Sequence, residues 1–203
     1  MKRFAIPSLI ALFIIVVDQI TKFWVKTNMC LYERIEITSW FQIFFTENKG
    51  MAFGMSLIGT MFLAIFRIIA IVCFIYIFYK AAKNPQKPFG FLITLASIIA
   101  GAVGNLIDNL FYGMIFTQST PMGGIFSTPS KLVGWGEGYG EVLSGKVVDM
   151  FYFPLFTWPE SFPLVGGDVF FGAVFNVADA AISVAAVVFI IFYHKQLASK
   201  VSL

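Results

Sequence analysis

One histidine, two cysteines and a charged fraction of 12% across 203 residues leave little room for several kinds of chemistry. A Ser-His or Cys-His nucleophile needs a histidine beside the reaction, and the sole one, His194, falls at the far end of the last apolar run. Zinc hydrolysis has no H-E-x-x-H helix to use, so no metal site is expected. Cys30 and Cys73 are too few and too far apart to be read as a disulfide framework. The net charge of +3 comes without the concentrated basic patch that nucleic acid requires. A soluble domain carries about 25% charged residues. Apolar residues take that place here, at 59% of the chain with a mean hydropathy of +0.85, which is the composition of an integral membrane protein.

A membrane-spanning helix needs about 20 mostly apolar residues, and four windows qualify: 4–25, 57–79, 89–111 and 172–193. The first follows MKRF and imitates a secretory signal peptide, but it runs on to Val25 with no A-x-A-like exit and reads as a retained helix. Four spans put both termini on one side. Lys2 and Arg3, then Lys80, Lys83 and Lys87, then Lys195 and Lys200 share that side, which the positive-inside rule makes cytoplasmic. The fold class is therefore α-helical integral membrane, with residues 1–203 as one membrane domain and outer loops over 26–56 and 112–171. In the first loop, YERIEITSWFQIFFTENKG partly alternates β-branched or aromatic with polar residues and predicts short strands of a small extracytoplasmic sheet. Trp40, Phe41, Phe44 and Phe45 then lie either at the headgroup level or against one another. The second loop, rich in Gly, Ser, Thr and Pro from Thr117 to Gly145, reads as a long mobile flap.

An ionisable side chain inside a span costs a few kcal/mol and usually faces a bundle interior or a watery cavity. At a rise of about 1.5 Å per residue, Asp18, Asp108 and Asp179 all fall in the outer half of their helices. Asp18 and Lys22 are i and i+4 and suit a local ion pair. Asn105 with Asp108, and Asn176 with Asp179, are i and i+3. Gly101 and Gly104 before the former pair let the third and fourth helices approach closely. Arg67, inside the second run, suits a structural partnership with Asp108. Asp179 has no basic neighbour at helical spacing. Two nearby carboxylates can share one proton, so that one acts as acid and the other as base. Asp149, in GKVVDMFYF, is the available partner, although taken alone it reads more often as an ordinary loop carboxylate. A proton-coupled transporter and a non-enzymatic tetraspan scaffold are the rival classes. A transporter wants polar groups near the midplane and often an internal repeat, and a scaffold leaves Asp149 and Asp179 idle.

Four stretches taken together resemble the lipoprotein signal peptidase (signal peptidase II) family: VDQITK at 17–22, ENKGMAFG at 47–54, GAVGNLID at 101–108 with VVDM at 147–150, and FNVADAAIS at 175–183. The resemblance implies a bacterial inner-membrane aspartyl endopeptidase with its active site at the extracytoplasmic face. Its substrates would be diacylglyceryl-modified prolipoproteins, cut just before the lipidated cysteine. It implies no metal or organic cofactor, membrane lipid as a second partner, and a monomer. The family's catalytic pair falls on Asp149 and Asp179, and its substrate-binding or supporting residues fall on Asp18, Lys22, Asn48, Asn105, Asp108 and Asn176. Asn48 and Asn176 would position the substrate backbone or stabilise an oxyanion. The pattern departs in two places: Asn109 follows Asp108 where most relatives have arginine, and residues 112–146 stand where a short turn is usual. Arg67 is the expected source of the missing charge, and the long insertion is expected to fold over the site as a lid.

Overall fold

Four apolar helices cross in a bundle whose centre is the third. A computed structural model describes residues 2–48 and 60–198. The helices are α1 (Lys2–Asn28), α2 (Thr60–Lys83), α3 (Phe89–Ile107) and α4 (Val177–Val188). With their continuations, the runs long and apolar enough to span are Lys2–Asn28, Met61–Lys83, Phe89–Ile115 and Val177–Gln196. Half of the α3 window is buried, against 11% of each of the others, so α3 is the element on which the rest pack. The fourth helix starts at Val177 and not near 172, because Asn176 is extended and caps it, its side chain accepting from the Asp179 N–H at 2.9 Å.

Small residues let α3 meet its neighbours. A Cβ added at Gly104 would lie 2.6 Å from an Asp18 oxygen on α1 and 3.2 Å from Ala178 Cβ on α4. One added at Gly101 would collide with the Ala178 carbonyl oxygen. The close approach of α1, α3 and α4 is therefore written into GAVG.

At one end of the bundle sits a three-stranded antiparallel sheet, β1 (Arg34–Thr38), β2 (Phe41–Asn48) and β3 (Val147–Tyr152), in that order. The two strands expected in the first loop are present, joined through Ser39 and Trp40. The third comes from the far loop and brings Asp149 opposite Thr46 and Val147 opposite Asn48. Phe45 is fully buried, in a core with Val25, Met29, Tyr112, Phe116, Val148 and Met150, so it has no place at the headgroup level. Trp40, in contrast, is 53% exposed.

The insertion is folded and is not a bare flap. The Thr117 N–H donates to Lys131 O, Val133 to Ile115 O and Tyr139 to Phe116 O, each at 2.9 Å. Leu31 and Met122 bond it to the end of α1, and the Ser130 N–H donates to Lys26 O at 3.2 Å. Its Gly-rich composition serves tight packing: a Cβ at Gly138 or Gly145 would strike backbone carbonyls of Gly113 or Asp108. A short two-residue pair, β4 (Phe156–Thr157) and β5 (Val169–Phe170), closes the segment before α4.

Gly104→Val forces branched carbon into the Asp18 carboxylate. Overpacking of this kind costs about 1–3 kcal/mol, and thermal unfolding in detergent should show a Tm several degrees lower than wild type; an unchanged Tm would contradict the packing described.

Candidate active site

Lys22 is the centre from which the site is built. It is fully buried on α1, and its Nζ lies 2.9 Å from Asp18 Oδ2, 2.8 Å from Asp108 Oδ2 and 2.8 Å from Asn105 Oδ1. The i, i+4 pair expected within α1 is there, but it is only half of a buried Asp18–Lys22–Asp108 triad that joins α1 to the end of α3. Gln19, a residue the sequence reading passed over, bridges the same carboxylates, its Nε2 lying 3.1 Å from Asp18 Oδ2, Asp108 Oδ1 and Gly104 O.

Each carboxylate of the triad also holds a backbone N–H. Asp108 Oδ2 accepts from Val148 at 3.2 Å, and Asp18 Oδ1 accepts from Ala178 at 2.9 Å. Those residues immediately precede Asp149 and Asp179. The two aspartates are thus located through their neighbours by a single lysine-centred cluster. The Ala178 contact also places an anion at the N-terminus of α4, where partial positive charge favours it.

Two buried amides then join the aspartates to one another. Asn176 Nδ2 donates to Asp149 Oδ1 at 2.6 Å, with Val148 O at 3.2 Å and Asn105 Oδ1 at 3.1 Å. Asn105 Nδ2 in turn donates to Asp179 Oδ1 at 2.8 Å. Asn105 and Asn176 therefore contact Asp179 and Asp149 directly, while Asp108 and Asp18 hold the backbone N–H of the residue before each. Asn176, however, has its amide engaged on all sides, which fits orientation of Asp149 and the α4 cap better than oxyanion binding. Asp149 is 4% exposed, and burial, then the Asp179 charge beside it, push its carboxyl up to about 7. Asp179, in the first turn of α4, is only half-buried.

The end of α3 widens into a π-turn over Asp108–Tyr112. An α-helix turns consecutive side chains about 100° apart, and the wider turn lets both Asp108 and Asn109 be buried. Asn109 Nδ2 donates to Gly145 O at 2.7 Å. Arg67 does not pair with Asp108, which already has Lys22; it is hydrogen-bonded to Asn109 Oδ1. Asn48 closes β2 and is exposed; from Lys49 onward the ENKGMAFG stretch lies outside the described residues.

Residues 10–195 match the family model for signal peptidase (SPase) II. The chain belongs to the signal peptidase II family. A lipoprotein signal peptidase of Porphyromonas gingivalis is 42% identical over 194 residues, spanning 94% of this chain and 83% of its own. One from Amoebophilus asiaticus is 36% identical, with coverage of 85% and 71%. The fold resembles a bacterial membrane enzyme solved by the in meso method at 2.3 Å, with a TM-score of 0.63 at 23% identity, over 98% of this chain and 94% of that one.

Beside the centre, this signal peptidase II family member carries a second buried ionic cluster that the sequence reading missed. Glu47 on β2 meets Lys26 at 2.5 Å, Lys146 at 2.9 Å and Ser119 at 2.7 Å. Burial alone would push the Glu47 carboxyl up, but the two lysines and the hydroxyl bring it below the usual carboxylate range. The signal available was Lys26 itself, i+4 from Lys22 and on the same helix face. The cluster ties the insertion to α1 and to the strand beside Asp149.

Lys22→Met should leave Asp18 and Asp108 buried without their shared cation. Breaking such a pair costs about 3–5 kcal/mol, so a large drop in Tm is expected in a thermal melt, and a variant as stable as wild type would contradict the triad's role.

Proposed function

We propose that this protein is an aspartyl endopeptidase that removes signal peptides from diacylglyceryl-modified prolipoproteins, cutting just before the lipidated cysteine. The family and its lipoprotein signal peptidase relatives support lipoprotein signal peptide cleavage. The single observation behind the aspartyl chemistry is the joining of Asp149 and Asp179 through Asn176 and Asn105 at one end of the bundle. In this reading both termini are cytoplasmic, since Lys80, Lys83 and Lys87 mark that end. The sheet and site then lie at the outer face, where a substrate anchored by its acyl chains reaches them laterally.

In the proposed reaction, the Asp179 carboxylate removes a proton from a water molecule as its oxygen attacks the scissile carbonyl carbon. Asp149 begins protonated, hydrogen-bonds the carbonyl oxygen and donates its proton as the tetrahedral centre forms. Collapse restores the carbonyl and breaks the C–N bond. A proton passes to the departing amine, so one water is consumed and an acid and an amine are released. Burial favours this division of roles, because the neutral form is retained at the more buried carboxyl. Transport is disfavoured because the polar groups converge on one end of the bundle.

Purified protein should cleave a diacylglyceryl-modified prolipoprotein, and Asp149→Asn and Asp179→Asn should each lose activity by orders of magnitude while keeping the wild-type melt. Because Asp149 works as the acid, kcat/KM should fall as pH rises through about 7, the region where its proton is lost in the free enzyme. A folded wild type unable to process this substrate, or a rate still climbing well above that pH, would refute the assignment.

A further inference from the structure

The end of the bundle opposite the aspartates holds a cavity of about 550 Å³, bounded by the last turns of α2, the turn that follows, the start of α3 and the end of the fourth span. Its apolar wall is Ile77, Ala81 and Phe91, and its polar wall carries Lys80, Lys83 and Lys87. Lys80 and Lys83 are three apart on α2 and so share a face. Lys87 Nζ donates to Gln196 O at 2.5 Å, which ties the turn to the end of the fourth span. Arg3 on α1 holds the same turn, Nη2 donating to Asn84 O at 3.0 Å and to Lys87 O at 2.7 Å. The cavity is therefore framed by fixed backbone from three of the four spans.

The stretches of chain that reach this end, 1–17, 68–107 and 180–203, contain no Asp or Glu. Among the described residues, neither Lys80 nor Lys83 has a carboxylate at ion-pair distance. Each lies near an aromatic ring instead, Lys80 Nζ 5.6 Å from the Tyr76 centroid and Lys83 Nζ 4.2 Å from that of Tyr79. A ring attracts an ammonium without neutralising it. Placement in the last turn of α2 suits the backbone dipole, but the dipole calls for no cavity. Tyr76 both lines the cavity and belongs to the exposed face of α2 that includes Ile69, Val72 and Ile75. The cavity thus continues from the lipid-facing surface of the span, which is the route open to a bilayer component.

We propose that this cavity is a binding site for the headgroup of an anionic phospholipid, with Lys80 and Lys83 meeting the phosphate and the apolar wall of Ile77 and Phe91 taking the glycerol and upper acyl chain. Basic pockets between membrane helices suit such headgroups, and a mostly apolar cleft with a few convergent polar groups is the usual form of a small-molecule site. The bound lipid supplies the negative charge that the chain itself lacks at this end. It also joins α2, which buries little of its surface, to α3 and the fourth span. The site is remote from the aspartates and does not rest on the peptidase reading.

The test is native mass spectrometry of delipidated full-length protein titrated with phosphatidylglycerol, with phosphatidylcholine of the same acyl chains, and with inorganic phosphate. Wild type should retain phosphatidylglycerol in preference to phosphatidylcholine, and inorganic phosphate should neither bind in its place nor displace it. Each lysine near a headgroup contributes about fivefold in affinity, so Lys80→Gln and Lys83→Gln should each weaken phosphatidylglycerol binding by that factor. Lys131→Gln, which removes one exposed charge from the insertion, should leave it unchanged. Thermal melts should agree: phosphatidylglycerol should raise the Tm of wild type and of Lys131→Gln, and raise that of the Lys80→Gln, Lys83→Gln double variant much less. If the double variant does not fold, the exposed single variant Lys83→Gln carries the comparison. Equal retention of the two lipids, displacement by inorganic phosphate, or equal weakening by Lys131→Gln and Lys83→Gln would overturn the proposal, the second result pointing to a soluble anion and the third to nonspecific charge.

Discussion

The ammonium of Lys22 is shared by Asp18 and Asp108 where water cannot reach any of the three. Such a cluster is tolerated only when nearly every lone pair and N–H in it finds a partner, since an unmatched charge in a low-dielectric interior costs several kcal/mol. That requirement reaches outward. Asp18 must take the Ala178 N–H, which seats the first turn of α4; Asp108 must take the Val148 N–H, which seats β3. Asn105 must satisfy Lys22 on one side and so presents its amide to Asp179 on the other. The glycines of α3 are the steric condition for all of this, because a side chain at 104 would occupy the space of the Asp18 carboxylate. Fold and site are in this sense one hydrogen-bonded object.

From that object the two candidate catalytic carboxylates inherit different surroundings. Asp149 is carried on a buried strand and receives its hydrogen bond from a buried asparagine. Asp179 lies in the first turn of a helix, only half-buried, where the backbone dipoles favour negative charge. A pair of chemically identical groups is thereby made unequal, which is the general condition for one to work as acid while the other works as base. The aspartate that looked costly within an apolar run is located at a capped helix end, beside polar partners, and not in the middle of a span.

Much of this was legible in the sequence because a charge in an apolar run has few explanations. Asp18, Lys22, Asp108 and Asp179 stand out for that reason, and helical rise puts the three aspartates in the outer half of their helices. What escaped was whatever depends on local backbone form. Asn176 and Asp179 have the i, i+3 spacing of a helix face, but the same spacing also describes a cap, and the cap is what formed. VVDMFY is a nearly continuous apolar run, so nothing in its period distinguished a buried strand from a connecting segment. The π-turn that buries Asn109 next to Asp108 has no sequence signature. The glycines of the insertion suggest a flap in one dimension, and in the fold they permit close backbone packing. Glu47 sits in a strand whose ionic partners lie on α1 and in the far loop, a contact that one-dimensional spacing does not reveal.

The central claim is that Asp149 and Asp179 act as one unit. It is tested most directly by a double-mutant cycle on cleavage of a diacylglyceryl-modified prolipoprotein, with kcat/KM measured for Asp149→Asn, Asp179→Asn and the combined variant at one pH. Groups that act together are grossly non-additive. The account predicts that the double variant is no slower than either single one. Losses that multiply would mean two independent contributions and would contradict it.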